Sequence, residues 1–330
     1  MTGLADAYDL IIFDLDGVVY LIDRPIDGAV EAIGALHQAG TAVAYATNNA
    51  SRQAADVAAL LTGMGIIAGA DEVLTSAGAA AEALASRLPA GSPVLVVGAE
   101  ALRAEVTAAG LTPVAEAADD PVAVVQGYGP AVGWAQLAEA SVAIRAGAQW
   151  VATNTDRTLP SVRGPLPGNG SLVAVLRTAL EREPDLVVGK PEPALFRTAA
   201  SRADARWPLV VGDRLDTDIE GAVRAGMDSL LVLTGVSTAR DLLTAPPLRR
   251  PTYVAENLGA LADAGSAAPV PSAGDDWTLR EAGDGLELSG AGRPAGALAA
   301  LCARAWSGEP VGRVRGATPQ AQAALAALKL

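Results

Sequence analysis

Four apolar runs, each breaking off at its carboxyl end into polar groups, constrain this chain more than any other feature of its sequence. In chain order they are Leu10-Ile11-Ile12-Phe13 before Asp14-Leu15-Asp16-Gly17, Ala42-Val43-Ala44-Tyr45-Ala46 before Thr47-Asn48-Asn49, Leu186-Val187-Val188 before Gly189-Lys190-Pro191, and Leu209-Val210-Val211 before Gly212-Asp213 and an acidic stretch through Asp218. Short runs that are apolar at every position suit strands buried on both faces of a parallel sheet, and such sheets bind ligands beyond the carboxyl ends of their strands. Ala-rich helical stretches separate the runs, which gives a β-α-β-α pattern. It predicts strands at about 9–14 and 41–47 and helices at about 28–39 and 51–64, with Ser51 as N-cap and Gly63 and Gly65 at the helix exit.

The first run carries the most chemistry. Residues two apart on a strand point the same way, so Asp14 and Asp16 project together while Leu15 faces away. Like charges that close repel unless a cation or a shared proton relieves them. Hard carboxylate oxygens suit Mg²⁺, which keeps waters and a substrate phosphate in its remaining positions. Gly17 lets the chain turn away with no side chain crowding the pocket. The hydroxyl and amides of Thr47-Asn48-Asn49 and the ammonium of Lys190 are donors of the kind that hold phosphoryl oxygens. A plain acidic turn accounts for the first run alone; it does not account for four such ends in order.

On these motifs the chain resembles the haloacid dehalogenase superfamily of phosphohydrolases. Asp14 and Asp16 stand in its first motif, Thr47 in its second, Lys190 in its third and Asp213 with Asp218 in its fourth. The phrases Thr47-Asn48-Asn49, Gly189-Lys190-Pro191 and Gly212-Asp213-Arg214-Leu215-Asp216-Thr217-Asp218-Ile219 are similar to the branch holding NagD-type, phosphoglycolate, glycerol 3-phosphate and pyridoxal phosphate phosphatases, over residues 8–260. The resemblance implies an α/β fold, with a Rossmann-like parallel sheet core at 1–77 and 186–262 and an inserted α/β cap domain of C2 type at 78–185. It implies Mg²⁺-dependent hydrolysis of a small phosphorylated metabolite through an aspartyl-phosphate. Asp14 would be the nucleophile and Asp16 the acid and base. The metal would be held by Asp14, Asp213 and the main-chain carbonyl of Leu15 or Asp16, that of Asp16 in the family pattern. Thr47, Asn48 and Lys190 would bind the phosphate, and Asp218 would orient metal waters or Lys190. Asp216 can be read simply as a carboxylate at a helix start.

The same resemblance makes glycerol 3-phosphate the first expected substrate and 2-phosphoglycolate the second. The loop Asn154-Thr155-Asp156-Arg157-Thr158-Leu159-Pro160 would hang over the active site, so Asn154, Asp156 and Leu159 become candidates for selecting the leaving group. Pyridoxal phosphate phosphatases carry a histidine close to the position of Leu159, which argues against the vitamin. Gln126-Gly127-Tyr128-Gly129-Pro130 departs from the many relatives with an aspartate after the Gly-aromatic pair. A phosphometabolite-binding regulatory protein without turnover is the other reading, and the intact carboxylate pair speaks against it.

Composition bounds the rest. Half the residues are hydrophobic (51%) but aromatics are only 4%, so the core must be built from Ala, Val and Leu. A net charge of −13 argues against a nucleic-acid surface. It also repels a phosphate ester at long range, although screening over ~8 Å at physiological salt leaves local groups in control. With Cys302 the single cysteine there is no intrachain disulfide, and with His37 the single histidine, near a helix end, a Ser-His-Asp triad is disfavoured. No basic run with an apolar segment marks residues 1–9 and no apolar stretch reaches membrane length, so a cytoplasmic protein with no membrane partner is expected. The resemblance adds a homodimer through the caps. Gly168-Asn169-Gly170-Ser171 lacks the third glycine of a nucleotide fingerprint and reads as a helix start capped by Ser171. Residues 263–275 read as a linker. Residues 276–330 read as a small α+β module, with a hairpin around Gly283-Asp284-Gly285 and helices at 294–306 and 318–329 that pack on the core or on a partner.

Overall fold

The apolar runs fold as strands of an α/β protein whose computed structural model describes residues 3–159, 161–273, 276–283 and 285–330. Pro160 of the expected cap loop, Asp284 of the expected hairpin turn, Gly274 and Asp275 of the expected linker, and Met1 and Thr2 lie outside the described residues. The chain divides into two compact units, Met1–Ala44 with Ala200–Leu330, and Tyr45–Ala199.

In the first unit the strand Leu10–Phe13 is buried at all four positions and pairs in parallel with Pro208–Gly212. That strand pairs in parallel with Asp228–Val232, which pairs in parallel with Tyr253–Ala255. Burial on both faces is why these segments are apolar without alternation. The helix Ala29–Ala39 buries Ala29, Ala32, Ile33 and Leu36, an i, i+3, i+4, i+7 stripe, and places half-buried His37 in its last turn. The edge strand is a correction to the sequence expectation. Within the stretch read as a linker, Ala267–Pro269 pairs antiparallel with Tyr253–Ala255.

The C-terminal residues build a second, three-stranded sheet. Trp277–Ala282 and Gly285–Gly290 form the expected antiparallel hairpin, and Arg313–Gly316 adds in parallel to its second strand. The helices Pro294–Trp306 and Pro319–Leu328 cover it, the latter capped by the Thr318 hydroxyl accepting from Ala321 N–H at 3.1 Å. Trp277, Leu286, Leu288, Leu298, Leu301 and Leu325 share one core with Leu231 and Val254 of the larger sheet and Leu242 of the helix Ala239–Leu243. This module is therefore fused to the first unit by its interior.

The second unit holds a five-stranded parallel sheet in the order Leu186–Val187, Gln149–Ala152, Ala123–Gln126, Pro93–Val97, Thr112–Val114. Strand alternation divides its side chains between two cores. Val94, Val96 and Val125 pack with Ala77, Ala81, Leu84, Leu102 and Val106 of two helices. Leu95, Val97 and Val124 pack on the opposite face with Leu137, Ile144, Val173 and Leu176. The last residues of the strand Ala42–Thr47 pair in parallel with Val73–Thr75. Two expected caps differ. The helix Ala54–Gly63 is capped at Gln53, whose N–H donates to Asp56, while Ser51 is tied back to Asn49. The helix Asn169–Leu180 starts after Gly168, and the Ser171 hydroxyl instead donates to the Arg157 carbonyl at 2.7 Å. Among the described residues no helix is long and apolar enough to cross a membrane.

Candidate active site

The loop after the first strand is locked by its own backbone. Asp14 N–H donates to the Val211 carbonyl at 2.9 Å, and the N–H groups of Val18, Val19 and Tyr20 converge on the Leu15 carbonyl at 3.3, 2.9 and 3.1 Å. Gly17 N–H donates to the Tyr20 carbonyl at 2.8 Å, and the Thr234 hydroxyl donates to the Gly17 carbonyl at 2.6 Å. Gly17 has φ +89°, and a Cβ there would lie 2.6 Å from a carboxylate oxygen of Asp213. Glycine is required on both counts. Asp14 is 8% exposed, while Asp16 is half-buried.

Asp213 is fully buried, and one of its carboxylate oxygens accepts Val236 N–H at 2.6 Å. The chain then winds through a π-helical turn, Leu215–Ile219, a distortion often found at functional sites. In that turn Asp218 accepts Arg214 N–H at 3.1 Å, and the Ser237 hydroxyl accepts Leu215 N–H at 3.0 Å. Asp216 points elsewhere and takes the Arg214 guanidinium in a two-pronged pair at 3.1 and 2.9 Å. Asp14, Asp213 and Asp218, all buried, each present an oxygen within 4.8 Å of the others. Three carboxylates so close repel one another unless a cation lies between them, and an all-oxygen set of this kind fits Mg²⁺. Asp218, expected to act from behind, stands with the other two. The Asp16 carboxylate is not in this group.

Thr234, Gly235, Val236 and Ser237 were missed in the sequence, although the signal was there. Ser229-Leu230-Leu231-Val232-Leu233 is a fifth apolar run that breaks into Thr234-Gly235-Val236-Ser237-Thr238, like the other four.

In the second unit the structure gathers most of the remaining predicted residues. Thr47 and Lys190 are each 3% exposed, Asn48 9% and Asn154 4%. The Thr47 hydroxyl accepts Asn49 N–H at 3.1 Å. The Asn48 side chain bonds to the main chain of Lys190 on both sides and to the Asp156 carboxylate. Leu159 is half-buried in a two-residue strand whose partner position is Leu166. Asn169, singled out only as part of a glycine-rich phrase, is buried and donates to the carbonyls of Gln126 and Asn154 at 3.2 and 2.7 Å.

Comparison with known proteins identifies the family. The haloacid dehalogenase-like hydrolase family matches residues 11–112, and a HAD-hydrolase-like family matches residues 187–261. A D-glycerol 3-phosphate phosphatase of Mycobacterium tuberculosis is 53% identical over 261 residues, covering 79% of this chain and 73% of that protein. Chronophin of Rattus norvegicus is 40% identical over 242 residues, covering 70% and 78%. The crystal structure of a glycerol phosphate phosphatase from M. tuberculosis in complex with magnesium superposes with a TM-score of 0.90 at 45% identity, over 99% of each chain. A 4-nitrophenylphosphatase from Thermotoga maritima gives 0.73 at 33% identity, over 78% of this chain and 97% of its own. The chain belongs to the haloacid dehalogenase-like hydrolases, in their NagD-like phosphatase branch.

Proposed function

We propose that this phosphatase hydrolyses glycerol 3-phosphate, through an aspartyl-phosphate formed on Asp14. The observation that carries the chemistry is the convergence of Asp14, Asp213 and Asp218 at the end of a parallel sheet. The substrate rests on the 53% identity to the mycobacterial D-glycerol 3-phosphate phosphatase.

In the first half-reaction a carboxylate oxygen of Asp14 attacks phosphorus in line and the P–O ester bond breaks. Asp16 gives its proton to the departing glycerol oxygen. In the second, the Asp16 carboxylate takes a proton from water, whose oxygen attacks the acyl phosphate and restores Asp14 with release of inorganic phosphate. Half-exposure of Asp16 suits a group that must meet both the leaving alcohol and water. Mg²⁺, which Asp14, Asp213, Asp218 and the Asp16 carbonyl would hold, supplies positive charge that offsets the repulsion between carboxylate and phosphate. By the family pattern Thr47, the Asn48 main chain and Lys190 carry the charge on the phosphoryl oxygens, and residues 78–185 act as a cap whose loop with Asn154, Asp156 and Leu159 selects the alcohol. A cytoplasmic location and a homodimer belong to the same reading.

The test is the initial rate of phosphate release, with Mg²⁺, from glycerol 3-phosphate, 2-phosphoglycolate, pyridoxal phosphate, sugar phosphates and nucleotides. The highest kcat/KM is expected for glycerol 3-phosphate. Preference for 2-phosphoglycolate would move the substrate, and no release from any member would overturn the reading.

A further inference from the structure

We infer that the Asn48 side chain is a clamp fixing Lys190 and the Asp156 loop to one another, rather than a donor to the phosphoryl group; the kinetic consequences rest on the phosphatase reading above. Its Oδ1 accepts Lys190 N–H at 2.8 Å, and its Nδ2 donates to the Lys190 carbonyl at 3.0 Å and to the Asp156 carboxylate at 2.9 Å. A side-chain amide has two N–H donors, and both are engaged within the protein. The orientation of the amide follows from its neighbours: turned over, its oxygen would face a carbonyl and a carboxylate, and its NH₂ would face an N–H. The main chain is held as firmly, since the Asn48 carbonyl accepts from the Ser76 hydroxyl at 2.6 Å and from Asn154 Nδ2 at 2.7 Å.

A second, independent observation concerns the residue before Lys190. A Cβ at Gly189 would lie 2.6 Å from Asn48 Oδ1 and 2.5 Å from the Thr153 carbonyl, so the space next to Lys190 is kept open for this amide. Gly189 N–H is itself bound to that Thr153 carbonyl at 2.8 Å. The Lys190 segment and the 154–156 segment thus meet on one buried side chain, so a change at Asn48 must reach the phosphate-binding lysine and the proposed leaving-group loop together. As a positioning group, the Asn48 side chain acts on substrate only through Lys190 and Asp156.

Two measurements on the full chain test this. The first is amide hydrogen exchange at Lys190, which needs no activity. Asn48→Ala removes the acceptor and is expected to speed exchange of the Lys190 N–H by roughly tenfold or more, about one hydrogen bond's worth of protection. Unchanged exchange in folded Asn48→Ala protein would overturn the clamp. The second is a cycle of Asn48→Ala, Asp156→Ala and the double variant, read as kcat/KM for glycerol 3-phosphate. Two residues of one clamp give losses that fall short of additivity, whereas a phosphate donor independent of Asp156 gives additive losses, which would contradict the inference. Asn48→Asp puts an oxygen against two oxygens and is expected to do more harm than Asn48→Ala. Adding Asp156→Asn, which reverses the polarity of one bond, is expected to recover part of that loss, a rescue that a direct phosphate ligand would not show. If wild-type protein releases no phosphate from any ester, the phosphatase reading falls, while the exchange experiment still judges the clamp.

Discussion

At the scale of single residues, carboxylates of the same type divide into different tasks by position alone. Asp216, two residues from Asp218, is taken by Arg214, while Asp218 joins Asp14 and Asp213. Asp14→Asn is expected to lower kcat by at least about 10³-fold, since an amide neither attacks phosphorus nor holds the metal as a carboxylate does. Asp16→Asn is expected to lower kcat by about 10²–10⁴-fold, the usual range for a lost acid-base group, with the loss smallest for esters of acidic alcohols such as 4-nitrophenol. Thermal unfolding of both variants checks that the fold survives. Burial pushes the Cys302 thiol up to about 12, so it stays protonated throughout the neutral range. It is expected to resist alkylation at pH 8 in native protein and to react once urea exposes it. Asp14, Asp213 and Thr47 could be picked out as candidates because each stands at the end of a strand, where side-chain type and direction follow from strand geometry. Asp16 and Lys190 lie beyond the strands Leu10–Phe13 and Leu186–Val187, and Asp16 does not join the carboxylate group that strand alternation predicted for it. The clamp made by Asn48 was not legible, because its partners lie 108 and 142 positions away and no local pattern announces them.

At the scale of elements, periodicity found what burial imposes and missed what tertiary context supplies. The strand Leu10–Phe13 and the helix Ala29–Ala39 carry their burial pattern in the sequence. Ala267–Pro269 and Arg313–Gly316 do not. The first is an edge strand of small residues and proline, and the second has two arginines in four residues, so each is a strand only because a neighbour offers a ladder to join. Ser51 failed as a cap because Asn49 claims its hydroxyl, a local competition that a propensity scale does not weigh. The helix Pro294–Trp306 buries Leu298 completely in the core it shares with the larger sheet. Leu298→Ala is expected to cost about 2–5 kcal/mol, measured by urea unfolding, as for other buried leucines. A cost below about 0.5 kcal/mol would mean that this helix contributes little to the core.

At the scale of the whole molecule, two properties bear on function. The C-terminal module shares its interior with the unit that carries Asp14 and Asp213, so removing residues 263–330 is expected to lower the thermal midpoint and expose apolar surface, not to leave an intact phosphatase. Recovery of full activity and an unchanged midpoint in the truncated chain would contradict that. The net charge of −13 opposes the approach of a phosphate dianion, so KM for glycerol 3-phosphate is expected to fall as NaCl rises from about 10 to 150 mM and the screening length shrinks from about 30 to 8 Å. The measurement that bears most directly on the central claim is an acid quench of the enzyme during turnover of a ³²P-labelled ester with Mg²⁺, followed by mapping of the label. A hydroxylamine-sensitive phosphate on Asp14, absent from Asp14→Asn protein, is the expected result. Turnover at the wild-type rate in Asp14→Asn protein, or label on another residue, would contradict the account.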